Sequence, residues 1–364
     1  MFNVKENKAI CVLPWVHEFR KISGHTSVCC HTNQHFKNNE TVEQVRELMS
    51  KGIKPEICSS CYKTEEESEW SPRIQETTDW INKFGAPETD NPILEYIDVR
   101  YDPTCNLKCK MCGPSSSTLW QKEKGIKIDV NKANKDYIFS VNKKLLKKVY
   151  LAGGEPTYIK DYLEFLHGLF LVNPTCEVVI NSNLKKLPDA WKDIMSKFKN
   201  LTIICSCDAT ELLGTYVRYP LWWDEFERNV KFVSENANFL QFNLVAYNLT
   251  AHKLYETCTW MKKYSKNINL SILSYPKVFS EYAVPIEQRD VYVDNLKKIE
   301  KFPVSVYYAA RFRNEVKLLI KKYSTSVYIP ALHKKLQEEL TEQDSHRSLK
   351  LQEVDTFLHS WIYA

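Results

Sequence analysis

The chain has 364 residues, 43% hydrophobic and 26% charged, with a formal net charge of +5, enough for one large domain or two to three smaller ones. No apolar run reaches the length of a membrane span, and the first eight residues lack the apolar core of a signal peptide, which predicts a soluble, cytoplasmic protein with no membrane partner. The lysines are dispersed in pairs such as Lys143-Lys144 and Lys321-Lys322; a nucleic-acid groove would concentrate them, so nucleic acid is allowed as a partner but not favoured.

Twelve cysteines in a chain of this size, clustered at close spacings, favour metal ligation over disulfides. Residues 1 to about 85 carry Cys11, Cys29, Cys30, Cys58 and Cys61, with His17, His25, His31 and His35. Cys58-Ser-Ser-Cys61 is a metal half-site by spacing, common to zinc and iron. Residues 64 to 92 read as a linker, acidic at Glu65-Glu66-Glu67 and then broken at Ser71-Pro72, Gly85-Ala-Pro87 and Asn91-Pro92. A domain boundary near residue 90 follows.

The strand-like run Tyr96-Ile-Asp-Val-Arg-Tyr101 introduces Cys105-Asn-Leu-Lys-Cys109-Lys-Met-Cys112. Three such thiols cannot form a closed set of disulfides. They are one ligand short of a tetrahedral zinc site, but they can hold three corners of an iron–sulfur cube and leave the fourth iron open to a substrate or cofactor. Spacing alone leaves a zinc knuckle with a distant fourth ligand in play. A second short strand, Lys148-Val-Tyr-Leu151, runs into Ala-Gly153-Gly154-Glu155-Pro156 and a helical stretch from Tyr158 to Leu171.

Further strand-like runs fall at 176–181, 201–205, 240–245 and 268–273, separated by helical segments near 189–198, 222–234 and 253–264. Six βα repeats predict a parallel sheet with helices outside. Periodicity does not choose between a flat doubly wound sheet and a partial barrel. Polar residues stand at strand ends, where functional groups of such sheets belong: Asn181-Ser182-Asn183 and Ser206-Cys207-Asp208. Each can equally serve as a helix cap or turn residue. Cys176, Cys205, Cys207 and Cys258 read as core thiols, with Cys207 singled out as the one beside the presumed cavity. After Pro285 four lysine-rich helices are expected, at 291–301, 309–323, 329–340 and 351–361, either closing the sheet's edge or covering a substrate.

C-x3-C-x2-C after one strand and Gly-Gly-Glu-Pro after the next resembles the radical S-adenosylmethionine (SAM) superfamily, over roughly residues 11 to 275. The resemblance implies an α/β fold. A partial (β/α)6 TIM-like barrel would occupy 91–280, after an N-terminal Fe-S (twitch/SPASM-like) segment at 1–90 and before a helical C-terminal region at 281–364. It implies a 4Fe-4S cluster on Cys105, Cys109 and Cys112 whose free iron binds SAM. SAM's ammonium would meet Gly153, Gly154, Glu155 and Pro156, with Ser206, Asp208 and Asn183 at the rest of the molecule and Arg218, within Tyr216-Val-Arg-Tyr-Pro220, pairing its carboxylate.

Met111 stands where relatives carry an aromatic, and a main-chain contact to adenine would survive that change. Ala209 replaces a glycine of the relatives. The order Cys11, Gly24, Cys29, then Cys58 and Cys61 is similar to auxiliary-cluster modules that usually follow the barrel. Cys11, Cys29 or Cys30, Cys58 and Cys61 would then close a second, auxiliary Fe-S cluster, or zinc with His31.

The chemistry implied is reductive cleavage of SAM to a 5′-deoxyadenosyl radical that takes a hydrogen from a peptide or small-molecule substrate, giving oxidation, cross-linking or epimerisation. A thiol such as Cys207 could return the hydrogen, and an external reductant such as flavodoxin or ferredoxin would supply electrons. The alternatives are a nucleoside- or RNA-modifying radical SAM enzyme and a non-catalytic iron–sulfur electron-transfer protein.

Overall fold

The computed structural model describes residues 1–20, 26–32, 41–68, 70–129 and 132–364. Gly24, His25 and His35 lie outside the described residues. The first elements in chain order are α1 (Leu13–Val16), β1 (His17–Arg20), β2 (Thr26–Ser27), α2 (Val42–Ser50), α3 (Ser59–Glu67), α4 (Pro72–Phe84) and β3 (Tyr96–Val99). Then come α5 (Thr118–Lys124), α6 (Lys132–Ser140), β4 (Lys148–Leu151), α7 (Lys160–Val172), β5 (Glu177–Ser182), α8 (Asp189–Lys197) and β6 (Leu201–Ser206). The last part holds α9 (Glu211–Val217), α10 (Trp223–Asn236), β7 (Phe239–Ala246), α11 (Leu254–Met261), β8 (Ile268–Ile272), α12 (Arg289–Ile299), α13 (Val306–Thr325), α14 (Pro330–Ser345), α15 (Leu351–Val354) and α16 (Thr356–Ile362). Among the described residues no helix is long and apolar enough to cross a membrane.

The six strands expected from the sequence are β3 to β8, and their order in the sheet is sequential: β2-β1-β3-β4-β5-β6-β7-β8. A doubly wound sheet must reverse direction once, so that helices cover both faces. An unreversed order with right-handed crossovers puts every helix on one face, the winding of a (β/α) barrel. The choice left open by periodicity falls to the singly wound arrangement.

The N-terminal segment extends this sheet. β1 runs parallel to β3, with His17 beside Tyr96 and Phe19 beside Asp98, and β2 pairs antiparallel on its outer side.

The chain divides into two compact units. One comprises Met1–Thr104, Ile128–Asn181 and Asp189–Thr202; the other comprises Cys105–Lys127, Ser182–Pro188 and Ile203–Ala364.

In the first unit, strand alternation sorts the two faces of the sheet. Ile97, Val99, Val149 and Leu151 are almost wholly buried on the side where the Tyr162 hydroxyl of α7 donates to the carbonyls of Val99 (3.2 Å) and Ala152 (3.0 Å). Tyr96, Asp98, Lys148 and Tyr150 occupy the other face, in rows fixed by the β3–β4 register.

The stretch read as a linker is largely helical. Ser71 and Pro72 start α4, the Ser71 hydroxyl accepting from the Ile74 amide at 3.2 Å and the proline occupying a position whose amide needs no partner. α4 buries Arg73, Thr77 and Trp80 in a core with Ile10, Val12, Trp15, Met49 and Tyr96. Ser71-Pro72 opens a helix where the sequence alone predicts a break.

In the second unit Phe242 of β7 and Phe226 of α10 are fully buried around Trp260 of α11, with ring centroids 5.7 and 5.9 Å from the indole. Burial of each phenylalanine contributes about 1.5–3 kcal/mol. The four C-terminal helices expected are present, the last as α15 and α16. α13 packs against β8 and α12, with Tyr323 stacked on Tyr292 at 4.6 Å.

Candidate functional site

In the second unit the cysteine loop is held by its backbone. The amides of Lys108 and Lys110 donate to the carbonyls of Tyr219 (2.7 Å) and Val217 (2.8 Å). The Ser117 hydroxyl donates to the Leu107 carbonyl at 2.5 Å and the Trp120 indole to the Cys109 carbonyl at 2.9 Å. Cys109 is buried, and Cys105 and Cys112 are half-buried. Cys105 Sγ accepts from the Leu107 amide at 3.4 Å and from Asn183 Nδ2 at 3.8 Å. A hydrogen bond from Cys112 holds the Cys109 thiol down to about 7 against its burial, with the Arg218 and Arg347 guanidiniums assisting. The same bond, together with burial, pushes the Cys112 thiol well above its ordinary range.

Arg218, between the two residues that pair with the loop, is ion-paired through Nη1 with Asp208 Oδ2 at 2.6 Å. The other Asp208 oxygen accepts from the Val245 amide at 3.1 Å. Each oxygen of this buried carboxylate thus has a protein partner, and the pair orients Arg218. Asn183 is likewise engaged. Its Oδ1 accepts from the Lys185 amide at 2.9 Å and its Nδ2 donates to Asn106 Oδ1 at 2.9 Å.

Two buried donors beside the thiols, Asn106 Nδ2 and Arg218 Nε, have no hydrogen-bond partner among the described residues. Buried donors of this kind imply an acceptor. Met111 is half-buried in the loop and Ser206 half-buried at the end of β6. Cys207 is 1% exposed. Its thiol donates to its own loop at the Ala209 carbonyl (3.4 Å), and burial pushes it up, with Cys258 of α11 among its neighbours. That is the setting of a packing thiol.

Three soft sulfur donors, amides directed at sulfur, unpaired buried donors and nearby cations suit a cuboidal iron–sulfur cluster. Among the described residues, no group of three or more His, Cys, Asp or Glu stands at the spacing of a single bound metal ion.

The sequence reading has the C-terminal helices closing the sheet's edge or covering a substrate; in the structure this region also braces the cysteine loop. Lys110, between two of the cysteines, ion-pairs with Asp344 Oδ1 at 2.5 Å, and the Tyr216 hydroxyl and Leu351 amide donate to Asp344 Oδ2 at 3.0 and 3.2 Å. Burial, with Arg347 nearby, pulls the Lys110 ammonium down to about 7. Lys110 and Asp344 are 234 positions apart, and no pattern in the sequence links them.

In the first unit Gly153 and Gly154 have a reason to be glycine. Gly153 has φ +118°, and a Cβ there would stand 2.8 Å from the Asp102 carbonyl; one on Gly154 would stand 2.2 Å from the Thr104 carbonyl. The amides of Gly154 and Glu155 donate to those carbonyls at 2.9 and 2.8 Å. The sequence reading gave the glycines to a ligand's approach. What approaches them is the chain itself, at the residues that lead into Cys105. Glu155, 1% exposed, accepts through Oε1 from the Thr157 amide (3.1 Å) and hydroxyl (2.7 Å), capping the turn that Pro156 begins.

Also in the first unit, Cys11, Cys29, Cys58 and Cys61 line one pocket with His31 and Arg73, of some 380 Å³ with the solvent at its mouth included. Arg73 is fixed by a two-pronged pair with Glu65, at 2.9 and 2.6 Å. Cys30 is not among the lining residues; its charged neighbours are Arg100, Asp98 and Glu76. Burial raises the thiols of Cys11 to about 12, of Cys30 to about 11, and those of Cys29 and Cys61 in the same direction. Such thiols stay protonated at neutral pH unless a metal displaces the proton.

No family model and no curated protein matches the chain. Solved structures do. Streptococcus suis SuiB is 16% identical, with a TM-score of 0.42 over 72% of this chain and 62% of that one. anSMEcpe with bound AdoMet and the Cp18Cys peptide is 19% identical, with a TM-score of 0.41 over 57% and 59%. TYW1 with a lysine-pyruvate adduct bound is 13% identical, with a TM-score of 0.35 over 57% and 71%. The chain spans about three-fifths of the length of the first two.

Proposed function

We propose that this chain is a radical SAM enzyme, in which Cys105, Cys109 and Cys112 hold a 4Fe-4S cluster and SAM binds at its open iron. The observation that supports this most is the cysteine loop itself: three thiols on one braced loop, with amide and side-chain donors directed at Cys105 and the unpaired donors of Asn106 and Arg218 beside them. Bound there, the cluster supplies the electron that splits SAM into methionine and a 5′-deoxyadenosyl radical.

The protein's own part is to place and shield. Loop pairing with Val217 and Tyr219 sets the height of the thiols, and Asp208 holds Arg218 so that a positive charge faces the cysteine loop for the carboxylate of SAM. Glu155 and the glycine turn are proposed to receive SAM's ammonium. With Oε1 already a cap, the carboxylate is pre-set in orientation. Met111, Asn183 and Ser206 are proposed to line the rest of the SAM site.

The pocket of Cys11, Cys29, Cys58 and Cys61 is proposed to hold a second cluster, fully ligated by protein, in the manner of twitch and SPASM modules. Cys29 is the ligand of the adjacent pair, because it lines the pocket while Cys30 lies among Arg100, Asp98 and Glu76. A closed cluster would carry electrons.

The substrate is proposed to be a peptide or a small molecule, modified by oxidation, cross-linking or epimerisation, with flavodoxin or ferredoxin as the reductant. Anaerobic reconstitution tests the cofactor assignment. The protein should bind two sets of four irons, and the electron paramagnetic resonance signal of the set lost in Cys105→Ala should change when SAM is added. A Cys105→Ala variant that keeps every iron, or a signal indifferent to SAM, would overturn the assignment.

A further inference from the structure

Arg347 presents an anomaly. It lies in the turn after α14, is 3% exposed, and none of its three guanidinium nitrogens has a hydrogen-bond partner among the described residues. A buried guanidinium without hydrogen-bond partners is costly, and it persists only where something nearby requires it. Its surroundings all belong to the cysteine loop and its supports. The guanidinium lies over the rings of Trp120 (5.2 Å) and Tyr219 (5.4 Å), the side chain that donates to the Cys109 carbonyl and the residue that pairs with Lys108. Its nearest carboxylate is Glu123, at 3.9 Å, and Cys109 is among the groups it acts on electrostatically.

The buried charges here do not cancel. Lys108 is paired with Glu123, Lys110 with Asp344 and Arg218 with Asp208, whereas among the described residues Arg347 has only the distant Glu123, already held by Lys108, and half-buried Lys185 reaches the Asn106 carbonyl at 3.1 Å. Added negative charge on the loop would be met by these cations. Three thiolates around a cluster core of charge +2 carry a net −1, and a one-electron reduction makes it −2.

We infer that Arg347 is the counter-charge of the cysteine loop, a positioning residue that acts on the cluster's electrostatics and makes its reduction easier, supplied by the C-terminal region. The inference rests on the cluster assignment above. Lys110, paired with Asp344, serves as the tie that brings the turn carrying Arg347 onto the loop.

The test is a redox titration of the full-length reconstituted protein, following the signal that responds to SAM. Arg347→Gln keeps a planar donor and removes the charge; Arg347→Lys keeps the charge and loses the fork. The expected result is a midpoint shifted to more negative potential in Arg347→Gln, with iron content unchanged, and a midpoint near wild type in Arg347→Lys. Equal midpoints in wild type and Arg347→Gln, or equal shifts in both variants, would reduce Arg347 to a packing plug between two rings and overturn the inference. If Arg347→Gln fails to hold iron, Glu123→Gln decides, because it removes the carboxylate beside Arg347 and leaves the Lys110–Asp344 tie intact: the midpoint should move to more positive potential, and no shift or the opposite one contradicts the proposal. Absence of any SAM-responsive cluster in the wild type would instead strike the cluster assignment.

Discussion

Gly154 and the Cys29–Cys30 pair show what single positions contribute. A Cβ on Gly154 would sit 2.2 Å from a backbone carbonyl, which has no flexible end to swing away. Gly154→Ala should therefore destabilise the protein by roughly 1–3 kcal/mol, read as a lower midpoint in urea unfolding, and it should weaken iron retention, because the displaced carbonyl is that of Thr104, next to Cys105. A variant as stable as wild type would show that the turn gives way freely. For the auxiliary site, Cys29→Ala should lose one set of four irons and Cys30→Ala should lose none, as measured by iron and sulfide content. The reverse pattern would place Cys30 in the pocket. The sequence could list both thiols but not choose, because adjacent side chains diverge according to the local backbone and nothing in the spacing fixes which one faces Cys11.

At the level of elements, strands and barrel helices were legible because their patterns are local. Period-two alternation marks Tyr96 to Val99, and the apolar run in α7 marks a buried helix. α4 was not, since Ser71-Pro72 carries the same letters whether it opens a helix or breaks one, and the decision rests on burial of Arg73, Thr77 and Trp80 against residues some 60 positions earlier.

α16 offers a test of a tertiary contact of this kind. Asp355 caps it through Oδ1, accepting from the Leu358 amide at 2.9 Å, while Oδ2 pairs with His252 at 2.8 Å. Burial pushes this carboxyl up, but the His252 hydrogen bond and charge outweigh it and leave it below its ordinary value. A lowered folded value means that the stabilisation is complete above the ordinary aspartate range near pH 4 and fades as pH falls through the folded value. Asp355→Asn keeps a capping oxygen and loses the charge. It should cost about 1.5–3 kcal/mol at pH 7 and progressively less below pH 4 in urea unfolding; a deficit constant with pH would assign the effect to packing.

Over the whole molecule, the sequence displayed the chemistry better than its supports. The three thiols of the loop, the glycine turn and the N-terminal cysteines all lie in short motifs, and motifs survive without knowledge of the fold. Lys110 with Asp344 and the placement of Arg347 depend on where a distant helix ends, which only folding decides. The sequential strand order likewise emerges only when strands are paired, and it settles a choice between windings that six βα repeats cannot make.

The central claim is that these parts serve SAM cleavage. It is tested most directly by measuring 5′-deoxyadenosine released from SAM by the anaerobically reduced, reconstituted protein, with Cys105→Ala as the blank and with host extract divided by ultrafiltration into large and small molecules. The account predicts release by wild type, none by the variant, and stimulation by the fraction that contains the substrate. A reduced protein with intact clusters and bound SAM that releases no 5′-deoxyadenosine in either fraction would contradict it, and would move the chain to the electron-transfer reading.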